Sequence, residues 1–487
     1  MKAKIDLKNI IFSSMIYLLP FVEFLMNNII EIDIILVKSF FFLILLLFFC
    51  LLIFTFIVFY FLKSVNFSKI FLIVVIIYWI FFKHNLLNQT IISISDQFTQ
   101  NVFEYSSEIS LLLLIIFSIY SSILIYKNNL LFKKFVFIFI SLSLFSSLFQ
   151  IINYNHNLNV AKPKNLDVIN FPDKINNKKE NIYFFILDAM QPIKEFEKHY
   201  KVNKKEFLNY TEKKNYKYIH DTVNNYDNTT HSLSALFYLD KIFDEEGKLK
   251  EKSKILFPSV LRKSNKPDLL HVLDNLGYKF KWIGNFFALC PKFNLDYCLN
   301  KDSNSIIDSY LYINFFRQTP LIQSISSLAK VFNYDFDKHI YSKVNNGMGR
   351  LTNHLRVSHK PENKQTFYFI HNMSPHWPYI TNEDCLYKKY PGKKNFDGYK
   401  SAYLCSLKRI KETIEFLEEF DPNSSVIFQS DHNWPMSKNK KEKKMIFTLV
   451  KINKKCNFDK NVSWNNVNTL RWVFSCITGN NPKYIKD

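Results

Sequence analysis

Apolar and polar positions divide this chain unevenly. Up to residue 152, five apolar stretches follow one another, at 9–27, 39–62, 69–83, 109–126 and 134–152. Most are long enough, at about 1.5 Å per residue, to cross a hydrocarbon layer of about 30 Å. The third is short, and its length predicts a tilted or partly re-entrant segment. No cleavable leader is expected, because the first stretch contains Pro20 and Glu23, lacks a small-residue cleavage site and is followed by further spans. Residues 153–180 then mix Pro163 and Pro172 with many Asn and Lys without periodicity, which reads as a linker. The chain thus divides into a five-helix membrane domain (1–152), a linker (153–180) and a water-soluble domain (181–487).

Inside the soluble domain the period changes. The run NIYFFIL (181–187) is continuously apolar and of strand length, as an interior strand of a sheet covered on both faces should be, and similar runs recur at YKFKWIG (278–284), TFYFIH (366–371) and SVIFQS (425–430). Helical patterns such as 399–420 lie between them. This alternation predicts an α/β domain with a largely parallel central sheet flanked by helices. No internal repeat is visible.

Charge sets the orientation. Lys2, Lys4 and Lys8, then Lys63 and Lys69, then Lys127, Lys133 and Lys134 mark alternate connections, the cytoplasmic pattern. Glu31 and Asp33, then Asp96, Glu104 and Glu108, mark the others. Lys38 and Lys83 fall at span ends, from which they can snorkel, and the connection 84–108 is expected to lie along the outer surface. An odd number of spans puts the soluble domain outside the cytoplasm. The cysteines fit that side: Cys50 lies in a span, and Cys290, Cys298, Cys385, Cys405, Cys456 and Cys476 form three sequence-neighbour pairs beyond it. Disulfides are expected in an oxidising compartment, with connectivity left open by sequence. The net charge of +21 is met by no helix-turn-helix, zinc-finger or RNP pattern, so no nucleic-acid partner is expected. It reads equally well as attraction to anionic phospholipid head groups or as compositional bias.

Three strands discharge into candidate ligands: Asp188 after the first, His371 and His376 around the end of the third, Asp431 and His432 after the fourth. Sites in open α/β sheets form just beyond the carboxyl ends of strands. Singly each has an ordinary reading, a turn-forming Asp or a core histidine; together they point to a metal or phosphate site. Thr229 and Thr230 precede a helical pattern, and either caps that helix or presents a hydroxyl at its positive end. The residues alone leave both readings open.

The string N-Y-D-N-T-T-H-S-L (225–233) resembles the nucleophile segment of membrane-bound sulfatase-like proteins, in which a Thr or a modified Cys is followed three residues on by Ser. That alignment selects Thr229, with Ser232, over Thr230. I-L-D-A-M-Q (186–191) resembles the opening strand and metal-binding Asp, S-P-H-W-P-Y (374–379) the substrate-binding histidine segment, and S-D-H-N (430–433) the metal-binding Asp-His pair. These four segments, which follow the family's order along the chain, are similar to the alkaline phosphatase and sulfatase superfamily. The run 269–285 is similar to the helix and strand preceding a cysteine pair in phosphoethanolamine transferases, where Cys290 and Cys298 stand here. The five-span anchor resembles those enzymes and lipoteichoic acid synthase. There are departures. No C-x-P-x-R setting exists for a formylglycine. Ala189 stands where many sulfatases have a second Asp, which suggests one tightly held metal. Asp188 stands where the transferases commonly have Glu, and Asn433 replaces a usual Gly.

The resemblance implies a bacterial inner-membrane protein with a periplasmic catalytic domain. Asp188, Thr229, Asp431 and His432 are expected to hold one divalent ion, Zn or Mn rather than Mg or Ca. Thr229 is the expected nucleophile, His376 binds the phosphoryl group or protonates the departing alcohol, and His371 is a structural neighbour. The implied reaction moves a phospholipid head group, of the phosphoethanolamine or glycerol phosphate class, to an envelope glycan or lipid through a phosphothreonine. A phosphoester or sulfoester hydrolase is the alternative, and a non-catalytic envelope protein the remaining one. Residues 240–365 are expected to shape acceptor choice.

Overall fold

A computed structural model describes residues 7–28, 34–62, 66–98, 106–127, 130–160, 180–261, 266–284, 297–298, 315–321, 346–358, 365–377, 379–388, 396–434, 441–452, 456, 459 and 462–485. The chain forms two compact units, one of residues 1–155 with 305–335, the other of 156–304 with 336–487.

The first unit is helical: α1 (Leu7–Asn27), α2 (Ile34–Phe61), α3 (Phe67–Phe81), α4 (His84–Phe98), α5 (Ser106–Tyr126) and α6 (Leu130–Val160). Among the described residues four stretches are long and apolar enough to cross a membrane, Lys8–Met26, Phe41–Phe61, Phe67–Ile91 and Glu108–Tyr126. The fifth expected stretch, 134–152, lies within α6, which continues to Val160 through residues read as the start of the linker. The third expectation changes, because after a turn at Phe82 and Lys83 the chain resumes as α4 and the run reaches full span length. Much of the 84–108 connection is therefore helix. Phe42, Ile53, Phe56 and Phe61 of α2 are all more than half exposed, as on a helix that faces lipid rather than protein.

Polar contacts pin the helix ends. Lys69, at the start of α3, donates to the carbonyl of Tyr126 at the end of α5 at 3.4 Å. Lys83 does not snorkel: it pairs with Glu23 of α1, both side chains about three-quarters buried, above the ring of Trp79 at 5.5 Å. The boundary placing all of 181–487 in the soluble domain also changes. Phe315 packs among Phe21, Phe24 and Phe82 at ring separations of 4.6, 5.3 and 4.7 Å, and the amide of Asn85 donates to Gln318 O at 3.1 Å. Proximity in sequence hid this, since nothing in the local pattern of 315–321 distinguishes a segment packed on the helices from a loop.

The second unit is built on β1 (Ile182–Leu187), followed by α7 (Ile193–Tyr200), α8 (Lys205–Lys213), β2 (Lys217–Tyr218), α9 (Thr229–Tyr238), α10 (Asp268–Asn275), β3 (Lys279–Ile283), β4 (Tyr297–Cys298), α11 (Gly347–Ser358), β5 (Thr366–Asn372), α12 (Phe396–Phe420), β6 (Ser425–Ser430), β7 (Thr448–Lys451) and α13 (Asn466–Thr478). The seven strands run in the order β2-β7-β6-β1-β5-β3-β4. β1 is parallel to both neighbours, β3 is parallel to β4 and β5, and β7 pairs antiparallel with β6 and β2. All six residues of β1 are buried, and each large side chain so covered contributes about 2 kcal/mol. Tyr183, Phe185 and Leu187 pack toward α7, α8, α11 and α12, while Ile182, Phe184 and Ile186 pack toward α9, α10 and α13. That two-sided cover is why the strand reads as an unbroken apolar run.

Two cysteine pairs close as disulfides, Cys385–Cys405 and Cys456–Cys476, a connectivity the sequence left open. Cys290 lies outside the described residues; Cys298 lies in β4. Cys50 is a free, exposed thiol on α2.

Candidate metal centre

Register brings the first two ligands together. Leu187 of β1 aligns with Ser430 of β6, so the next residues, Asp188 and Asp431, leave the sheet side by side. Asp188 is 3% exposed and Asp431 fully buried. The turn after Asp188 puts Ala189 at φ 57°, a left-handed conformation that side chains other than glycine seldom adopt. It turns the Ala189 amide toward Asp431 Oδ1 at 3.1 Å. Tyr399 holds the turn, donating to Ala189 O at 2.9 Å and accepting from the Gln191 amide at 3.1 Å.

Helix α9 delivers the hydroxyl. Asn228 caps it, its side-chain oxygen accepting from the His231 amide at 2.9 Å, and Thr229 is the first helical residue. At the other end Leu239 is left-handed at φ 49°, and its carbonyl accepts two bonds from the Arg471 guanidinium of α13, at 3.0 and 2.6 Å. Of the two threonines, the structure places Thr229 Oγ1 at 3.2 Å from His432 Nε2.

His432 is oriented by its other nitrogen. Nδ1 lies 2.7 Å from the carbonyl of Asn433, a partner that can only accept, so Nδ1 carries a proton and Nε2 is the nitrogen turned to the site. Nε2 faces Asp188 Oδ1 at 3.5 Å and Asp431 Oδ2 at 3.6 Å. Those same two carboxylate oxygens are buried without a hydrogen-bond donor, whereas Asp431 Oδ1 accepts from Ala189 and from the His432 amide at 2.9 Å. Two carboxylate oxygens and Nε2, with ligand atoms within 4.8 Å of one another, form a donor set that fits a divalent metal. The same groups shift one another's ionisation. Burial opposes ionisation of Asp188, yet His376, then His371 and His432, hold its carboxyl well below the usual range. Asp431 is pushed up by burial first and by the charge of Asp188 second. Burial works against a charged His432, but Asp431 and Asp188 raise it to about 9.

The remaining expected residues fall around this cluster. His376 stands with its ring 6.3 Å from that of His432 and perpendicular to it; its Nδ1 lies 2.6 Å from Trp377 O, which leaves Nε2 for the site. His371, expected only as a neighbour, is fully buried and 3.3 Å from Asp188 Oδ2. Sequence reasoning also passed over Asn224. Its amide donates to Ser232 Oγ at 2.8 Å and to the carbonyl of Asp431, joining α9 to the end of the strand that leads into Asp431 and His432. An Asn among several in NNYDN carries no local signal of that role.

Fold and site together define a chain with apolar, span-length helices and an α/β unit that gathers two carboxylates, an imidazole and a threonine hydroxyl at the carboxyl edge of its sheet. No protein-family model matches it, and no curated protein does. Among solved structures it is similar to lipooligosaccharide phosphoethanolamine transferase A from Neisseria meningitidis, at 11% identity over 87% of this chain and 85% of that one, TM-score 0.43. It is also similar to the C-terminal periplasmic domain of EptC from Escherichia coli in complex with Zn, at 14% identity over 64% and 85%, TM-score 0.40. A third is BT4656 in complex with D-glucosamine-2-N,6-O-disulfate, at 9% identity over 63% and 78%, TM-score 0.38.

Proposed function

We propose that this chain is a metal-dependent phosphotransferase of the outer face of a bacterial inner membrane, which moves a phospholipid head group to an envelope glycan or lipid. The observation that carries this reading is the Thr229 hydroxyl at 3.2 Å from His432 Nε2, beside two buried carboxylate oxygens that lack a donor. Asp188, Asp431 and His432 would hold the metal, and Thr229 would complete the donor set. A divalent cation bound there, Zn or Mn suiting a set with an imidazole better than Mg or Ca, lowers the hydroxyl pKa and draws charge from a phosphoryl oxygen.

The residues then divide the work. Thr229 Oγ1 attacks the phosphorus of the head group and loses its proton to solvent. The bond from phosphorus to the diacylglycerol oxygen breaks, and His376 Nε2 supplies the proton that oxygen takes up. In the second step an acceptor hydroxyl gives its proton to His376 and attacks the phosphothreonine, and Thr229 leaves and is reprotonated. A lipid donor confined to the bilayer accounts for the apolar helices. The head group, phosphoethanolamine or glycerol phosphate, is what the test resolves.

The test is the intact mass of the full chain after incubation in detergent with phosphatidylethanolamine or phosphatidylglycerol. A head-group adduct on Thr229, absent from Thr229→Ala, is expected, with turnover in that variant lower by about three orders of magnitude or more. Activity that survives Thr229→Ala with no adduct in the parent overturns the reading. Head group recovered on a supplied acceptor rather than free in solution separates transfer from hydrolysis.

A further inference from the structure

Thr229 is aimed by the residue before it. Asn228 is extended, at φ −146° and ψ 154°, and its carbonyl accepts the first bond of α9 from the Ser232 amide at 3.1 Å. Its side-chain oxygen is committed to the His231 amide at 2.9 Å. That bond fixes which end of the side chain is nitrogen, so Nδ2 is the atom that faces His231 Nδ1 at 3.0 Å and Asp227 Oδ1 at 3.2 Å. Both hydrogens of Nδ2 thus have acceptors, and the imidazole accepts at Nδ1 and carries its proton on Nε2. In a capping box the third helical residue reaches back to the backbone amide of the cap. Here it reaches back to the side chain of the cap.

The imidazole is itself held in place. Its ring stands edge-on to those of Tyr226 and Phe243, with centroids 6.1 and 5.2 Å away, and the Tyr226 hydroxyl accepts from the Ile242 amide at 2.9 Å. Packing alone would be met by a phenyl ring, so the nitrogen at the cap is the feature to explain. We infer that His231 is a positioning residue: its Nδ1, together with the exposed Asp227, locks the Asn228 cap so that the next residue presents its hydroxyl to the metal centre. The inference rests on the role proposed for Thr229, whose Oγ1 lies 3.2 Å from His432 Nε2. An unlocked cap amide is free to turn, and a misplacement of about 1 Å at a reacting group costs on the order of a hundredfold in rate.

The test uses the full chain in detergent, stripped of metal and loaded with Co²⁺ alone, whose visible absorption reports the number and kind of its ligands. Thr229→Ala removes the hydroxyl and gives the reference spectrum of a centre without it. His231→Phe keeps the ring packing and loses the acceptor. Its spectrum is expected to shift toward that of Thr229→Ala, and head-group adduct formation to slow by about tenfold or more with KM near that of the parent. His231→Asn, whose side-chain oxygen takes the position of Nδ1, is expected to restore both. Asp227→Ala should shift the spectrum in the same direction by less. A His231→Phe spectrum identical to that of the parent, or a His231→Asn spectrum no closer to the parent than that of His231→Phe, overturns the inference and leaves Thr229 in its role. A Thr229→Ala spectrum identical to that of the parent overturns the reading of the site and the inference with it. If His231→Phe melts well below the parent, Asp227→Ala decides, since it changes an exposed side chain without touching the ring packing, and an unshifted spectrum there overturns the inference.

Discussion

The hydroxyl of Thr229 and Nε2 of His432 lie 3.2 Å apart across 203 residues of sequence. Neither is placed by its own segment alone. A capped helix brings one and a strand end brings the other, and Asn224 ties the two by bonding Ser232 of the helix and the carbonyl of Asp431.

Asp431 uses its two oxygens differently, which makes an amide substitution informative. Oδ1 accepts from the amides of Ala189 and His432, and the carbonyl oxygen of an Asn can keep both bonds. Oδ2 is the atom left for a cation. Asp431→Asn is therefore expected to melt close to the parent temperature while metal affinity falls more than the 10–100-fold typical of outer-shell changes. Metal content by elemental analysis, beside a melting curve, checks it.

His371 gives the outer-shell comparison. It touches Asp188 through Oδ2 at 3.3 Å and leaves Oδ1 to the site. His371→Gln is expected to weaken metal binding by about 10–100-fold without abolishing it, as measured by titration of metal-stripped protein.

Tyr399 is fully buried and its hydroxyl serves both Ala189 O and the Gln191 amide. Tyr399→Phe leaves both backbone groups without that partner, at a cost of about 1–3 kcal/mol each at most. Lower thermal stability and lower turnover are expected together, because the same turn aims the amide that holds Asp431.

Asp268, in the first turn of α10, is raised to about 6, first by burial and further by Asp240, against the opposing pull of Lys252 and Arg471. The folded protein thus binds this proton more tightly than the unfolded chain. The stability it contributes is present below the usual carboxyl value of 3.8 and is lost as pH rises through about 6. Asp240 works in the opposite sense, since although burial disfavours its charge, Lys252 and Lys250 hold it low. Asp268→Asn is expected to remove a fall on the order of 2 kcal/mol between these pH values, as read from unfolding measured at each pH.

Cys385 and Cys405 are 20 residues apart in sequence and staple the segment following His376 to α12. Replacing both with Ser is expected to cost about 3 kcal/mol through the freer unfolded chain. A reductant should lower the melting temperature of the parent and leave the variant less affected.

Much of the architecture was legible in residue order. NIYFFIL, TFYFIH and SVIFQS became three adjacent parallel strands because a strand covered on both faces favours apolar residues along its length. Their terminal Asp and His residues came together for the same reason, since equal register carries equal ends to one edge. The contacts made between distant segments were not legible. His371 reads as any core histidine until Asp188 stands beside it. Lys83 reads as a span-end lysine until Glu23 of another helix meets it. Nothing within 315–321 reveals that Phe315 packs among α1 and the α3 terminus.

The guanidinium of Arg471 grips Leu239 from 232 positions later in the chain, at the far end of the short helix whose opening residue is Thr229. Synthesis from the amino end delivers Asp188, Thr229, His376 and His432 before it delivers that clamp. Chains cut short before α13 would therefore lack the anchor at the base of the helix that opens on Thr229.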